Sequence, residues 1–184
     1  MIFRRLYAQL LVLILVLGGC SPDTAPSAQP DLETLYESGR LTQLDEATAE
    51  KLVDLVALKD GGSMYLNHLT QLDAATAEKL ANFKGYSLYL NGLTQLDAAT
   101  AEKLANFEGS AKTYRASSPP PLPDASLHLN GLTQLDAATA EKLANFKGYS
   151  LNLNGLTQLD AATAEKLKGF KGIELNLRKL EKGH

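Results

Sequence analysis

A single cysteine, three scattered histidines and almost no clustered basic charge set the first limits on this chain. One thiol, Cys20, excludes an intramolecular disulfide, and a thiolate zinc site needs more ligands than one. The histidines stand far apart at 68, 128 and 184 and suggest neither a metal cluster nor a cofactor site. The only basic pair of note is Arg4 and Arg5. Loss of residues 1–19 removes those two positive charges and no negative one, taking the formal net charge from -3 to -5. An acidic chain without a basic stripe is a poor match for nucleic acid. A clustered Ser/His/Asp set and a phosphate-cradling glycine loop are missing too, so the sequence argues against an enzyme. Long apolar runs are also lacking. Ala8–Leu17 is apolar apart from Gln9, and its length is well short of the about 20 residues that a membrane-spanning helix needs.

What the chain does have is enough apolar material for a core: 184 residues, 45% of them hydrophobic, suit one ordinary domain. Its first twenty residues read as an address. Two arginines, the short apolar run and then Gly18, Gly19 and Cys20 follow the order of a secretory signal. Leu17-Gly18-Gly19-Cys20 resembles the lipobox of bacterial lipoproteins. The resemblance implies cleavage before Cys20, acylation of its thiol, and export with the lipid held in a membrane. Several acyl chains anchor firmly because each buried CH₂ contributes about 0.8 kcal/mol. Ser21, where an aspartate commonly retains such proteins at the inner membrane, leans by the same resemblance toward the outer membrane. Residues 20–30 are rich in Pro, Ser and Ala and read as a tether.

Residues 31–184 are dominated by internal repetition. LTQLDAATAEKLANF occurs unchanged at 69–83, 93–107 and 132–146, with close copies at 41–52 and 156–170. Starts at 41, 69, 93, 132 and 156 define a 24-residue unit. The first gap holds four extra residues near Val56–Asp60, and the third holds fifteen, about 110–124. Within a unit, Ser87-Leu88-Tyr89-Leu90-Asn91 alternates polar and apolar and predicts a short strand. Gly92 permits a turn. Asp97 is a good helix N-cap, and the stretch Ala98 to Ala105 has strong helix formers. Ala101, Leu104 and Phe107 share one face at helical spacing. Gly109, like Gly85 and Gly148, is expected to supply a left-handed residue after the helix. Strand, turn, helix, turn is a crossover unit for parallel strands, and stacked units share a core that one unit cannot build. An all-helical solenoid is the rival reading, against which Asn-Gly after an alternating run argues. At the two ends, Leu32, Leu35 and Tyr36 are placed to cover the first repeat, and charge in LRKLEKGH discourages a further strand from adding.

The repeat resembles the leucine-rich repeat family, over roughly residues 41–180. LxL recurs as Met64/Leu66, Leu88/Leu90, Leu127/Leu129, Leu151/Leu153 and Leu175/Leu177. Where the family places asparagine or cysteine, three residues after the second strand leucine, this chain has Leu69, Leu93, Leu132 and Leu156. Asparagine comes two residues sooner, at 67, 91, 130 and 154. That departure bears on the buried asparagine ladder of the family. The resemblance implies an α/β leucine-rich repeat solenoid, with a short curved parallel sheet and helices on the convex side. It also implies that partners bind the concave sheet face. That face would carry a central column of Tyr65, Tyr89, His128, Asn152 and Asn176, flanked by a serine row and by the asparagines. The helices are nearly constant between copies whereas this column varies, as a recognition surface would. Two tyrosines among Ser and Asn suit a neutral polar protein, peptide or glycan, through ring stacking and amide hydrogen bonds. The alternatives are a solvated face whose variation is drift, and a passive spacer lipoprotein without a specific ligand. The insertion 110–124 carries three consecutive prolines, with Tyr114 and Arg115 as candidate anchors, and reads either as a recognition loop or as a tolerated surface insertion.

Overall fold

The computed structural model describes residues 31–59, 62–109 and 125–177. The signal-like segment 1–19, the tether 20–30 with Cys20, the insertion 110–124 and Arg178 lie outside the described residues.

Helices and strands alternate along the chain. Two helices open it, α1 (Leu32–Glu37) and α2 (Glu46–Lys59), followed by β1 (Ser63–Tyr65) and α3 (Ala74–Ala81). Then come β2 (Ser87–Tyr89), α4 (Ala98–Leu104), β3 (Ser126–His128), α5 (Ala137–Leu143), β4 (Ser150–Asn152), α6 (Ala161–Leu167) and β5 (Glu174–Asn176). The five strands form one parallel sheet in chain order. Its register pairs like with like: Met64 with Leu88, Leu88 with Leu127, Leu127 with Leu151 and Leu151 with Leu175. The all-helical reading therefore falls, and the Ser-Leu-Tyr stretches are strands. The four extra residues of the first gap are taken up in α2, which runs for 14 residues where the later helices have seven or eight.

Each repeat helix starts on an aspartate. The carboxylates of Asp45, Asp73, Asp97, Asp136 and Asp160 accept from the backbone N–H of the threonine three residues on, at 2.7–2.9 Å. Such a cap contributes about 1 kcal/mol. The same threonines stitch the repeats together. Thr100, Thr139 and Thr163 are fully buried, and their hydroxyls donate to the carbonyls of Leu72, Leu96 and Leu135 in the preceding turn, at 3.2–3.4 Å.

The helices end differently from the sequence expectation. Gly109 has a positive φ of 68°, but among the described residues the other such glycine is Gly39, so Gly85 and Gly148 are not left-handed. They are glycines for a steric reason. A Cβ on Gly85 would meet the Phe83 ring and the Gly62 carbonyl, and one on Gly148 the Phe146 ring and the Ala125 carbonyl. Close approach of successive turns, not backbone handedness, excludes a side chain there.

Between sheet and helices lies a continuous core of matching rows: the strand leucines, Leu69, Leu93, Leu132 and Leu156 after them, Ala101 and Ala140, and Phe83, Phe107 and Phe146. The three phenylalanine rings run parallel at 6.3 and 6.5 Å centroid spacing. A buried Leu or Phe contributes about 1.5–3 kcal/mol. On the helix side, Lys103, Lys142 and Lys166 each pair with the glutamate of the preceding repeat, Glu78, Glu102 and Glu141, at 2.5–2.8 Å. At the N-terminal end, Leu32, Leu35 and Tyr36 of α1 pack on the core, and the Tyr36 hydroxyl accepts from the Tyr65 N–H at 3.1 Å. That contact closes a backbone donor on the sheet edge. Among the described residues, no helix is long and apolar enough to cross a membrane.

Candidate functional site on the open sheet face

With the strand leucines turned to the core, the alternate residues stand on the opposite face, which no helix covers among the described residues. Register aligns Tyr65, Tyr89, His128, Asn152 and Asn176 as one column, as the sequence predicts. The column divides into two chemically distinct halves.

The first half is an aromatic stack. Tyr65 and Tyr89 lie 4.6 Å apart between ring centroids and 14° from parallel, and Tyr89 and His128 lie 4.0 Å apart and 10° from parallel. Both faces of Tyr89 are therefore taken by neighbours. The expectation that a ligand stacks on the tyrosine faces fails for Tyr89, because the rings have spent those faces on one another. Ring edges, phenol hydroxyls and the imidazole nitrogens are what the stack presents outward. Tyr65, on the edge strand, is at 55% the most exposed large apolar side chain among the described residues. Burial pushes the His128 imidazole below its ordinary range and so favours its neutral form.

The second half satisfies itself. Asn152 Nδ2 donates to Ser150 Oγ at 2.9 Å, while Asn176 Nδ2 donates to Asn152 Oδ1 at 2.9 Å and to Ser150 Oγ at 3.1 Å. These amides are committed within the protein before any partner arrives.

The flanking asparagines also prove to be builders of the fold. Asn91 donates to Asn67 Oδ1 through its backbone N–H and its Nδ2, at 3.2 and 2.9 Å. The backbone N–H of Asn130 donates to Asn91 Oδ1, and that of Asn154 to Asn130 Oδ1, both at 3.0 Å. A ladder of asparagines thus runs along the turns at the position two residues sooner than the family pattern has it. Their invariance between copies, against the variation of the central column, is the sequence signal that marks them as structural.

One further row escaped sequence reasoning. Tyr86, Tyr149 and Ile173, each just before a strand, are exposed on the rim, and the Tyr149 hydroxyl donates to Glu174 Oε1 at 3.0 Å. The hydrogen bond to Glu174 and its charge push the Tyr149 phenol upward. Ala125 takes this place before β3 and is buried. Among the described residues there is no group of three or more His, Cys, Asp or Glu side chains able to hold a metal ion. No protein family matches the chain, and no curated protein or solved structure is similar to it at a significant level.

Proposed function

We propose that this chain is a leucine-rich repeat lipoprotein of the bacterial envelope, exported, anchored to the membrane through an acylated Cys20, and acting as an interaction module for a protein, peptide or glycan. It is a binder and not an enzyme. The observation that carries the reading is the Tyr65–Tyr89–His128 stack: three side chains with polar atoms, held in fixed geometry on a face that no helix covers among the described residues. Rigid amphipathic rings lose little conformational freedom on binding, which is why such groups dominate recognition surfaces. The parallel strands and the repeated leucine rows support the leucine-rich repeat assignment. For the anchor, the support is Leu17-Gly18-Gly19-Cys20 after a short apolar run.

Two measurements test this. Metabolic labelling with a fatty-acid analogue is expected to mark the wild-type protein and not Cys20→Ser; equal labelling overturns the anchor. Pull-down from envelope extracts is expected to recover a partner that the double variant Tyr65→Ala, Tyr89→Ala does not retain. Identical recovery by the variant removes the face from consideration, and a clean failure with wild type favours a passive spacer.

A further inference from the structure

The half of the open face on β1 to β3 presents a row of hydrogen-bond groups at each strand: Ser63 and Tyr65, Ser87 and Tyr89, Ser126 and His128. None of these six side chains donates or accepts a hydrogen bond among the described residues, in contrast to Ser150, Asn152 and Asn176 beyond them. Five of the six end in a hydroxyl and the sixth in an imidazole. The aromatic rims turned outward carry the positive edge of the ring quadrupole. No carboxylate stands on these three strands; Glu174, the acid of this sheet, is on β5, where it accepts from Tyr149. In a chain of net charge -3, these three strands carry donors and no acid. They make a surface matched to anionic groups.

Spacing narrows the class. The strands repeat at about 4.8 Å, roughly the length of one pyranose unit in a chain, and the ladder presents the same kind of donor pair at each step. A polymer with one carboxylate per sugar, lying along the sheet and across the strands, places one acid at each pair. An extended peptide advances about 3.3 Å per residue with side chains alternating, so its acids fall out of step with the ladder.

We propose that Ser63/Tyr65, Ser87/Tyr89 and Ser126/His128 bind a run of three acidic sugars. This rests on the reading of the face as a binding surface and names its ligand class. His128 makes the site pH-dependent. Tyr89 and Ser87 face it from β2, Asn152 and Ser150 from β4 and Ser126 from its own strand, with no carboxylate, lysine or arginine among them. A bound carboxylate favours the imidazolium, so binding takes up a proton and strengthens as pH falls. The imidazolium over Tyr89 at 4.0 Å is further favoured by the ring face.

The test is calorimetric titration of the exported chain with uronic-acid oligomers of one to six units, and with neutral hexose oligomers of the same linkage. Affinity is expected to climb to three units and then level off, to be about tenfold tighter at about pH 5.5 than at about pH 8, and to be undetectable for the neutral series. His128→Asn, the residue that β4 and β5 carry at this place, is expected to fold and to lose the pH dependence. Equal binding of neutral oligomers, affinity independent of length, retention of the pH dependence by His128→Asn, or no binding of uronate overturns the proposal. The broader reading survives any of these if the pull-down partner still depends on Tyr65 and Tyr89, so the two failures are separable.

Discussion

At the scale of single residues, the repeated Asp-x-x-Thr step does the most. The aspartate closes a free amide at the helix start, and the buried threonine that supplies this amide also donates its hydroxyl to the previous repeat. The carboxyls of Asp31, Asp97 and Asp160 are held below their ordinary range, chiefly by the backbone N–H they accept, and that of Asp45 chiefly by the side chain of Thr48. Glu78, Glu102 and Glu141 are lowered too, by the lysines bonded to them. A carboxyl depressed in the folded state contributes stability that is complete above its unfolded value of about 4 and is lost as pH falls through the folded value. The urea midpoint is therefore expected to slip as pH falls through about 6.5, where the unfolded chain protonates the imidazole that burial keeps neutral at His128, and to decline further below about pH 4. Asp97→Ala is expected to lower stability by about 1 kcal/mol at neutral pH and to flatten part of that acid decline, while Asn at the same place keeps the cap. An unchanged acid limb in Asp97→Ala contradicts this account.

The pairing of neighbouring elements survives an insertion between helix and strand. The 15-residue insertion at 110–124 separates β2 from β3 in sequence, yet the Ser126 N–H donates to the Tyr86 carbonyl at 2.7 Å and the register runs on unbroken. Deleting residues 110–124 joins Gly109 to Ala125 and restores the 24-residue unit, with Ala125 where other repeats have Tyr86 and Tyr149. Each halving of a loop favours closure by about 0.6 kcal/mol, so the deletion is expected to leave the urea midpoint unchanged or raise stability by about 1 kcal/mol. A large drop would mean that the insertion contributes packing to the core. Strand, cap and helix were all legible in the sequence, because alternation, Asp-x-x-Thr and helical spacing are local signals. The column Tyr65 to Asn176 was legible as well, since alternation alone assigns a face. Its division was not. Whether Tyr89 lends its ring faces to a ligand or to Tyr65 and His128 depends on neighbours 24 and 39 residues away, one of them across the insertion. The handedness assigned to Gly85 and Gly148 failed in part for the same reason: beside the ring two residues back, a side chain would meet the carbonyl of Gly62 or Ala125 in the adjoining turn, which lies outside the local window.

For the molecule as a whole, stability is a property of contacts between neighbours. Leu127, Leu129 and Phe107 are buried because a repeat lies on either side, while Leu175, Leu177 and Phe170, in the last described repeat, are half-buried. Each added interface brings one more set of the same contacts: a threonine to a leucine carbonyl, an asparagine to an asparagine, a lysine to a glutamate. A nearest-neighbour chain of this kind gains stability with length as long as its units unfold together. Inserting a second copy of residues 132–155 after Gly155 preserves each of these junctions. The duplicated protein is expected to unfold in one transition, with a higher urea midpoint and an m-value larger by roughly one fifth, since five strands become six. Two separate transitions, or a midpoint that does not move, would mean that the repeats are independent units and that the shared core is not what holds the aromatic stack in place.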